Sequence, residues 1–297
     1  MIAEDHIGVN TGPMTGVDLQ EAIRLIADAG FKAIEIFGAD FQGSCGFPPR
    51  PGVGLWPRTC PPDRRRSLRD ALSVFDRVTL HVQLYGTDIT AINPGIREES
   101  RRQYLEHLEL GMELGASHIT YHAGSFPQSA VLGANGPERE RQVRELNVSM
   151  ARELVERSEG SGVLLGYENG PIRKTLDLID AVDRDRFGLL LDVAHGAMRA
   201  DWKGTDGIID DLDLCRGKLV QVHVHGLWGD VCVLRDHQDL RKNNLLDYGR
   251  IMPKLREIGF GGPFVFEISA PNAAGVVERC ADFKEHLRQC WDEPLSQ

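Results

Sequence analysis

Six short apolar runs in this chain end on an acid or an imidazole: Val-Thr-Leu-His81, Ile-Thr-Tyr-His122, Leu-Gly-Tyr-Glu168, Leu-Leu-Leu-Asp192, Val-Gln-Val-His223 and Phe-Val-Phe-Glu267. A polar group that regularly closes a buried strand points to one shared rim. His, Asp and Glu converging on such a rim are the side chains that divalent metals prefer. The pattern predicts a metalloenzyme and leaves its reaction open.

The elements that carry these groups alternate strand-like and helix-like along the chain. Ile7–Asn10 is an apolar run, after which Asp18 caps a helix with Leu19, Ala22, Ile23 and Ile26 at helical spacing. Further strands fall at Ala33–Phe37, Val78–Val82, His118–His122, Val163–Glu168, Phe187–Asp192, Leu219–His225 and Phe264–Ile268. Between them run helices over Arg64–Phe75, Arg97–Leu114, Glu138–Glu159, Thr175–Val182, Tyr248–Ile258 and Val276–Gln289. Gly30, Gly115 and Gly259 each follow a helix and precede a core strand, as helix C-caps do. Eight such units without a linker predict an α/β chain folded as a single (β/α)8 TIM barrel over residues 1–297.

Bulk composition agrees. The 297 residues are 41% hydrophobic and 26% charged, and a core of that size needs no disulfide or structural metal. The net charge of −10 argues against a broad nucleic-acid footprint. The six cysteines form no CxxC pair and read as reduced thiols, with a Cys45–Cys60 bridge as the lesser alternative. No apolar run approaches membrane-spanning length, and the first residues resemble no secretion signal, so a cytoplasmic chain is expected.

In a barrel of this kind, active-site groups sit at the C-terminal ends of the strands. Glu168, Asp192, His223 and Glu267 then project toward one point and suit Mn2+, Mg2+, Co2+ or Zn2+, with positions left open for substrate. His223 and His225 alternate on one strand and face the same way; spacing alone does not separate them as ligands. His195, three residues after Asp192, reaches the same mouth, as do His81 and His122 from the other side. His237 stands on a long loop after strand seven, where Asp236 competes with it. His81, His122, His195, His225 and His237 are the expected substrate-binding group. Glu35 is a further residue able to face the mouth. The Gly38–Pro62 segment, with Phe37, Phe41, Phe47 and Trp56, is expected either to cover the mouth or to pack within itself. His6, His107, His118 and His286 read as structural or solvated.

These residues resemble the xylose isomerase-like barrels, a superfamily that holds sugar (phosphate) isomerases and epimerases and also endonuclease IV. The likeness runs over nearly the whole chain. It is carried by His81 with Ala91-Ile-Asn-Pro, Arg97 and Ser100, then Leu114-Gly-Ala, His122-Ala-Gly-Ser, Tyr167-Glu-Asn, Leu191-Asp-Val-Ala-His, Val222-His-Val-His and Phe266-Glu-Ile. The resemblance implies metal ligation by Glu168, Asp192, His223 and Glu267. His223 is preferred because the family's ligand histidine stands three positions before an acid or its equivalent, here Gly226. It also implies that Glu168 and Glu267 act as paired acid and base on a small carbohydrate, and that the chain is a dimer or tetramer. One glutamate takes a proton from a carbon beside a carbonyl; either returns one to the opposite face or to the neighbouring carbon. Two departures set this chain apart from ketose 3-epimerases of the superfamily: Lys174 replaces an acid six residues after the first metal glutamate, and Gly229 replaces an arginine six residues after the metal histidine. The rival implication is an endonuclease IV-like multi-zinc phosphodiesterase using His81, His122, Glu168, Asp192, His195, His223, the Asp236/His237 region and Glu267.

Overall fold

Eight parallel strands close on themselves in the computed structural model, in the order expected of a (β/α)8 barrel. The structure describes residues 2, 4–39, 53–83, 86–124, 135–198, 204–229 and 233–294. The barrel strands are β1 (Ile7–Asn10), β2 (Ala33–Gly38), β3 (Arg77–Val82), β4 (His118–His122), β5 (Leu164–Glu168), β6 (Phe187–Asp192), β7 (Leu219–Val224) and β10 (Phe264–Phe266). β1 pairs with both β2 and β10, which closes the ring. The helices are α1 (Leu19–Asp28), α2 (Pro62–Leu72), α3 (Pro94–Glu113), α4 (Gly136–Arg157), α5 (Ile172–Val182), α6 (Val193–Ala197), α7 (Gly204–Leu212), α8 (Tyr248–Glu257) and α9 (Ala273–Asp292).

Local chemistry sets most boundaries. The Asp18 side chain accepts the Glu21 N–H at 2.8 Å, and Leu19, Ala22, Ile23 and Ile26 bury the inner face of α1. Gly30, Gly115 and Gly259 all adopt φ near +78°, the left-handed turn that releases each chain into its next strand. Helix α3 begins at Pro94 rather than at Arg97, because Asn93 caps it and proline fits the first turn.

Two further features differ from expectation. The long loop after strand seven is an antiparallel hairpin, β8 (Gly226–Gly229) and β9 (Leu234–Gln238). Its strands are short, β8 being Gly-Leu-Trp-Gly with Trp228 exposed and β9 largely polar, so no hydrophobic alternation announces it. Strand β10 ends at Phe266, which places Glu267 just beyond the ladder.

Tyrosines lock the strand ends. Tyr104 on α3 donates its hydroxyl to the His122 carbonyl at 2.9 Å, and Tyr248 on α8 donates to the His225 carbonyl at 2.7 Å. Both rings are buried, so the helical shell fixes the backbone beneath two mouth histidines. Cys60, Cys215, Cys280 and Cys290 are buried and free; Cys45 and Cys232 lie outside the described residues. Among the described residues no helix is long and apolar enough to cross a membrane.

At the opposite end of β4, His118 is buried, and burial together with Arg77 lowers it to about 4. The unfolded imidazole takes its proton near 6.5, so between these values the unfolded state binds more protons than the folded one. The stability from neutral His118 is therefore full above pH 6.5 and is lost as pH falls toward 4, by about 3 kcal/mol at most. Urea unfolding at pH 7 and pH 5 should show a smaller acid loss for His118→Gln than for the wild type. Equal losses would refute this role.

Candidate active site

The mouth is built from the ends of β1 and of β3 to β7, the segment after β10, and the β8–β9 hairpin. Glu168 ends β5 with its side chain buried. Its Oε2 lies 2.9 Å from His81 Nε2 and 3.0 Å from His122 Nε2, while Oε1 lies 3.1 Å from His195 Nδ1. Burial alone would raise this carboxyl, but His122, His195 and His81 hold it well below the usual range.

Asp192 ends β6 and caps α6. Its Oδ1 accepts the His195 N–H at 2.8 Å, and its Oδ2 lies 2.9 Å from His225 Nε2 and 3.3 Å from His195 Nδ1. Asn169 braces this turn by accepting the Asp192 N–H at 2.6 Å and donating to the Asp192 carbonyl at 3.2 Å. His225 and His195 hold Asp192 below its ordinary value despite burial. Burial works against charge on His195, but Asp192, Asp236 and Glu168 outweigh it and raise the ring to about 12.

Glu267 faces this group from the other side of the mouth. Asn10 Nδ2 donates to its Oε1 at 2.7 Å, and its Oε2 lies 3.5 Å from His223 Nδ1 and 3.8 Å from His237 Nδ1. His237, at φ +50°, points Nδ1 at the Glu267 carbonyl 2.9 Å away and stacks on His225 with ring centroids 4.4 Å apart. The His237 N–H donates to His225 Nδ1 at 2.9 Å. Asp236 Oδ2 stands 3.4 Å from His195 Nε2, so both hairpin residues reach the mouth.

The histidine that stands with Asp192 is His225, not the expected His223. His223 is the register partner of Asp192 across β6 and β7. The capping turn lifts the Asp192 carboxylate above that level, toward the residue two positions further on, roughly 6.6 Å along the strand direction. Ligating atoms of Asp192, His225 and Glu267 lie within 4.8 Å of one another, as do those of Glu168, Asp192 and His195. His223 instead groups with Glu35 and Glu267, or with His81 and Glu168.

Glu35 does point inward but lies beneath the mouth, wholly buried. Phe37 stacks on His81 at 5.2 Å, on the inward face it shares with Glu35, and Trp56 meets His107 edge-on at 5.5 Å. Phe41 and Phe47, and with them the expected cover, lie outside the described residues. Sequence reasoning missed Asn10 and Asn169, and named Asp236 only as a competitor of His237. Asn10 had the same signal as the other site residues, a polar group closing an apolar run.

The donor set fits a divalent cation. Among the described residues, the ion pairs of Glu35, Glu168, Asp192 and Glu267 all run to histidines. Four buried carboxylates balanced by imidazoles alone form a concentration of negative charge that a hard or borderline cation would neutralise. Beside them a cleft of about 730 Å³ opens between α4 and α5, lined by His122, Glu168, His195, Asn169, Arg144 and Lys174. It has ample room for a small polar molecule.

A closed parallel barrel with acids and imidazoles gathered at its carboxyl end is the class that fold and site define. The chain belongs to the xylose isomerase-like TIM barrel family, whose model matches residues 23–290. An uncharacterized protein of Methanocaldococcus jannaschii, MJ1311, is 23% identical over 230 residues, which span 74% of this chain and 72% of that one. A D-tagatose 3-epimerase-like protein superposes with a TM-score of 0.70 at 18% identity, over 96% of this chain and 98% of its own. D-psicose 3-epimerase from Clostridium cellulolyticum H10, solved with D-tagatose, gives a TM-score of 0.71 at 15% identity over 97% and 100% of the two chains. The IolI protein, solved with a zinc atom, gives 0.72 at 15% identity over 97% and 100%. At these identities the likeness is one of fold.

Proposed function

We propose that this protein is a divalent-metal-dependent isomerase or epimerase acting on a sugar, sugar phosphate or cyclitol, with Glu168 and Glu267 as its acid/base pair. The observation that carries the reading is the placement of two buried glutamates on facing sides of one mouth, linked through Asp192 and His225. The epimerases among the fold neighbours, and the zinc in IolI, support the substrate class and the metal.

Glu168, Asp192, His225 and Glu267 would hold the ion. A divalent cation bound there supplies Lewis acidity that makes a carbon acid beside a carbonyl easier to deprotonate. The remaining work belongs to the chain. His81 and His122 fix Glu168 through Oε2, and Oε1, which faces His195 Nδ1 at 3.1 Å, is the oxygen that accepts or returns a proton. Asn10 fixes Glu267 through Oε1, and Oε2, 3.5 Å from His223 Nδ1, takes the same task from the other side. His195, between Asp192 and Asp236, donates to a substrate oxygen. Where the second proton lands decides between epimerisation and isomerisation.

Substrate choice should differ from that of the ketose 3-epimerases. Lys174 lines the cleft next to Glu168. An arginine at position 229 is sterically barred: Gly229 sits at φ +136°, and a Cβ there would meet the Val233 carbonyl oxygen at 1.9 Å. The test is a metal-reconstituted screen of ketoses, inososes and sugar phosphates in deuterated water, followed by NMR. Deuterium is expected at a carbon next to a carbonyl in one of these classes; no incorporation in any of them would overturn the proposal.

A further inference from the structure

Below the mouth lies a polar layer to which the reaction assigns no task. Glu35 on β2 is wholly buried, where an unsatisfied carboxylate would be costly. Donors surround it. Thr79 Oγ1 donates to Oε1 at 2.9 Å, and Gln221 Nε2 donates to the same oxygen. Asn10 Nδ2 donates to Oε2 at 2.6 Å, and His223 Nε2 stands 3.0 Å from it.

Two of these partners go on to Glu267. The Asn10 amide also donates to Glu267 Oε1 at 2.7 Å, and its own Oδ1 is fixed by the Gly12 N–H at 2.6 Å. His223 turns its Nδ1 toward Glu267 Oε2 at 3.5 Å, and that buried nitrogen has no hydrogen-bond partner. Asn10 and His223 therefore clamp the two carboxylates together, Asn10 by a hydrogen bond to each and His223 by close contact with Glu35 and an ion-pair separation of 3.5 Å from Glu267 Oε2. Glu168 is supported differently, by the histidine rings themselves. Glu267 lies past the end of its strand on a flexible side chain, so these clamps set its orientation.

We propose that Glu35 is a positioning residue for Glu267: it fixes Asn10 and His223, and through them aims the Glu267 carboxylate into the mouth. The inference rests on the reading of Glu267 as acid/base and ion ligand. Supporting residues of this kind matter because a displacement of about 1 Å at a reacting group can cost about 100-fold in rate, and loss of an outer partner weakens metal binding by about 10- to 100-fold.

The test uses Glu35→Gln, Glu267→Gln and the double variant, with Co2+ as the probe. Glu35→Gln keeps the volume but places an amide donor against the donors that Glu35 now satisfies. It is expected to keep the far-UV circular dichroism of the barrel, to bind Co2+ about 10-fold more weakly or worse, and to alter the Co2+ d–d absorption. In urea unfolding without metal, the two single substitutions should be non-additive in the double variant. Unchanged Co2+ affinity and spectrum, or strict additivity, would overturn the proposal. If wild-type protein binds no Co2+, the metal reading of the mouth fails and the metal-free cycle alone decides the role of Glu35. If Glu35→Gln does not fold, Glu35→Asp replaces it in the same comparisons: its shorter reach should loosen the clamps while it keeps the charge.

Discussion

Glutamine at position 168 or 267 is expected to reduce solvent-deuterium exchange into the substrate by about 1,000-fold. Each substitution keeps the shape of the side chain and removes a group that can carry a proton. Each also removes one negative oxygen donor from the proposed ion site. Because the two glutamates act as one unit in removing and returning the proton, the double variant should be little worse than either single variant. His122→Gln should cost far less: it removes one of the two histidines at Glu168 Oε2 and leaves His81, 2.9 Å away, in place. Exchange rates by NMR on the metal-loaded variants decide the matter. A Glu168 or Glu267 variant that keeps a tenth of wild-type exchange would remove that residue from the acid/base pair.

Metal loading is the second large effect. A cation held by the folded mouth and not by the unfolded chain stabilises the protein by about 2.7 kcal/mol at 100 times its dissociation constant. For a chain of this size that corresponds to a rise in Tm of about 4 °C, reversed by a chelator. The sign with pH follows from the histidines. Burial works against charge on His225, yet Asp192 beside it outweighs burial and raises its affinity for a proton. Binding must displace protons from such rings, so the rise in Tm should grow as pH increases from 6 to 8. Asp192→Asn should abolish it. Thermal melts with Mn2+, Mg2+, Co2+ and Zn2+ read this directly, and no shift with any of them would contradict a resident ion.

The barrel was legible in the sequence because most core strands are apolar runs with a polar residue at their end. That is the arrangement by which a closed parallel sheet presents its rim. The Asp18 cap and the glycines after α1, α3 and α8 were legible for a similar reason: their chemistry acts within a few residues. The β8–β9 hairpin was hidden because its strands pack no alternating apolar face. Which of His223 and His225 stands beside Asp192 was hidden more deeply. Both face inward, and only the Asp192 capping turn, a feature of α6 and not of β7, selects the level at which they meet. That turn had a signal in Asp192 followed three residues later by His195, the spacing at which a cap accepts a backbone N–H. The layer around Glu35 had none, since its donors come from β1, β3 and β7 and meet only after the ring closes.

The most direct measurement is the anomalous diffraction of crystals of this protein grown with Mn2+. The account predicts one strong peak, bounded by Glu168, Asp192, His225 and Glu267. A peak held by His223 and Glu35, a cluster of several peaks that includes His81 and His122, or no peak in the mouth would contradict it; the cluster would point instead to the multi-zinc phosphodiesterase.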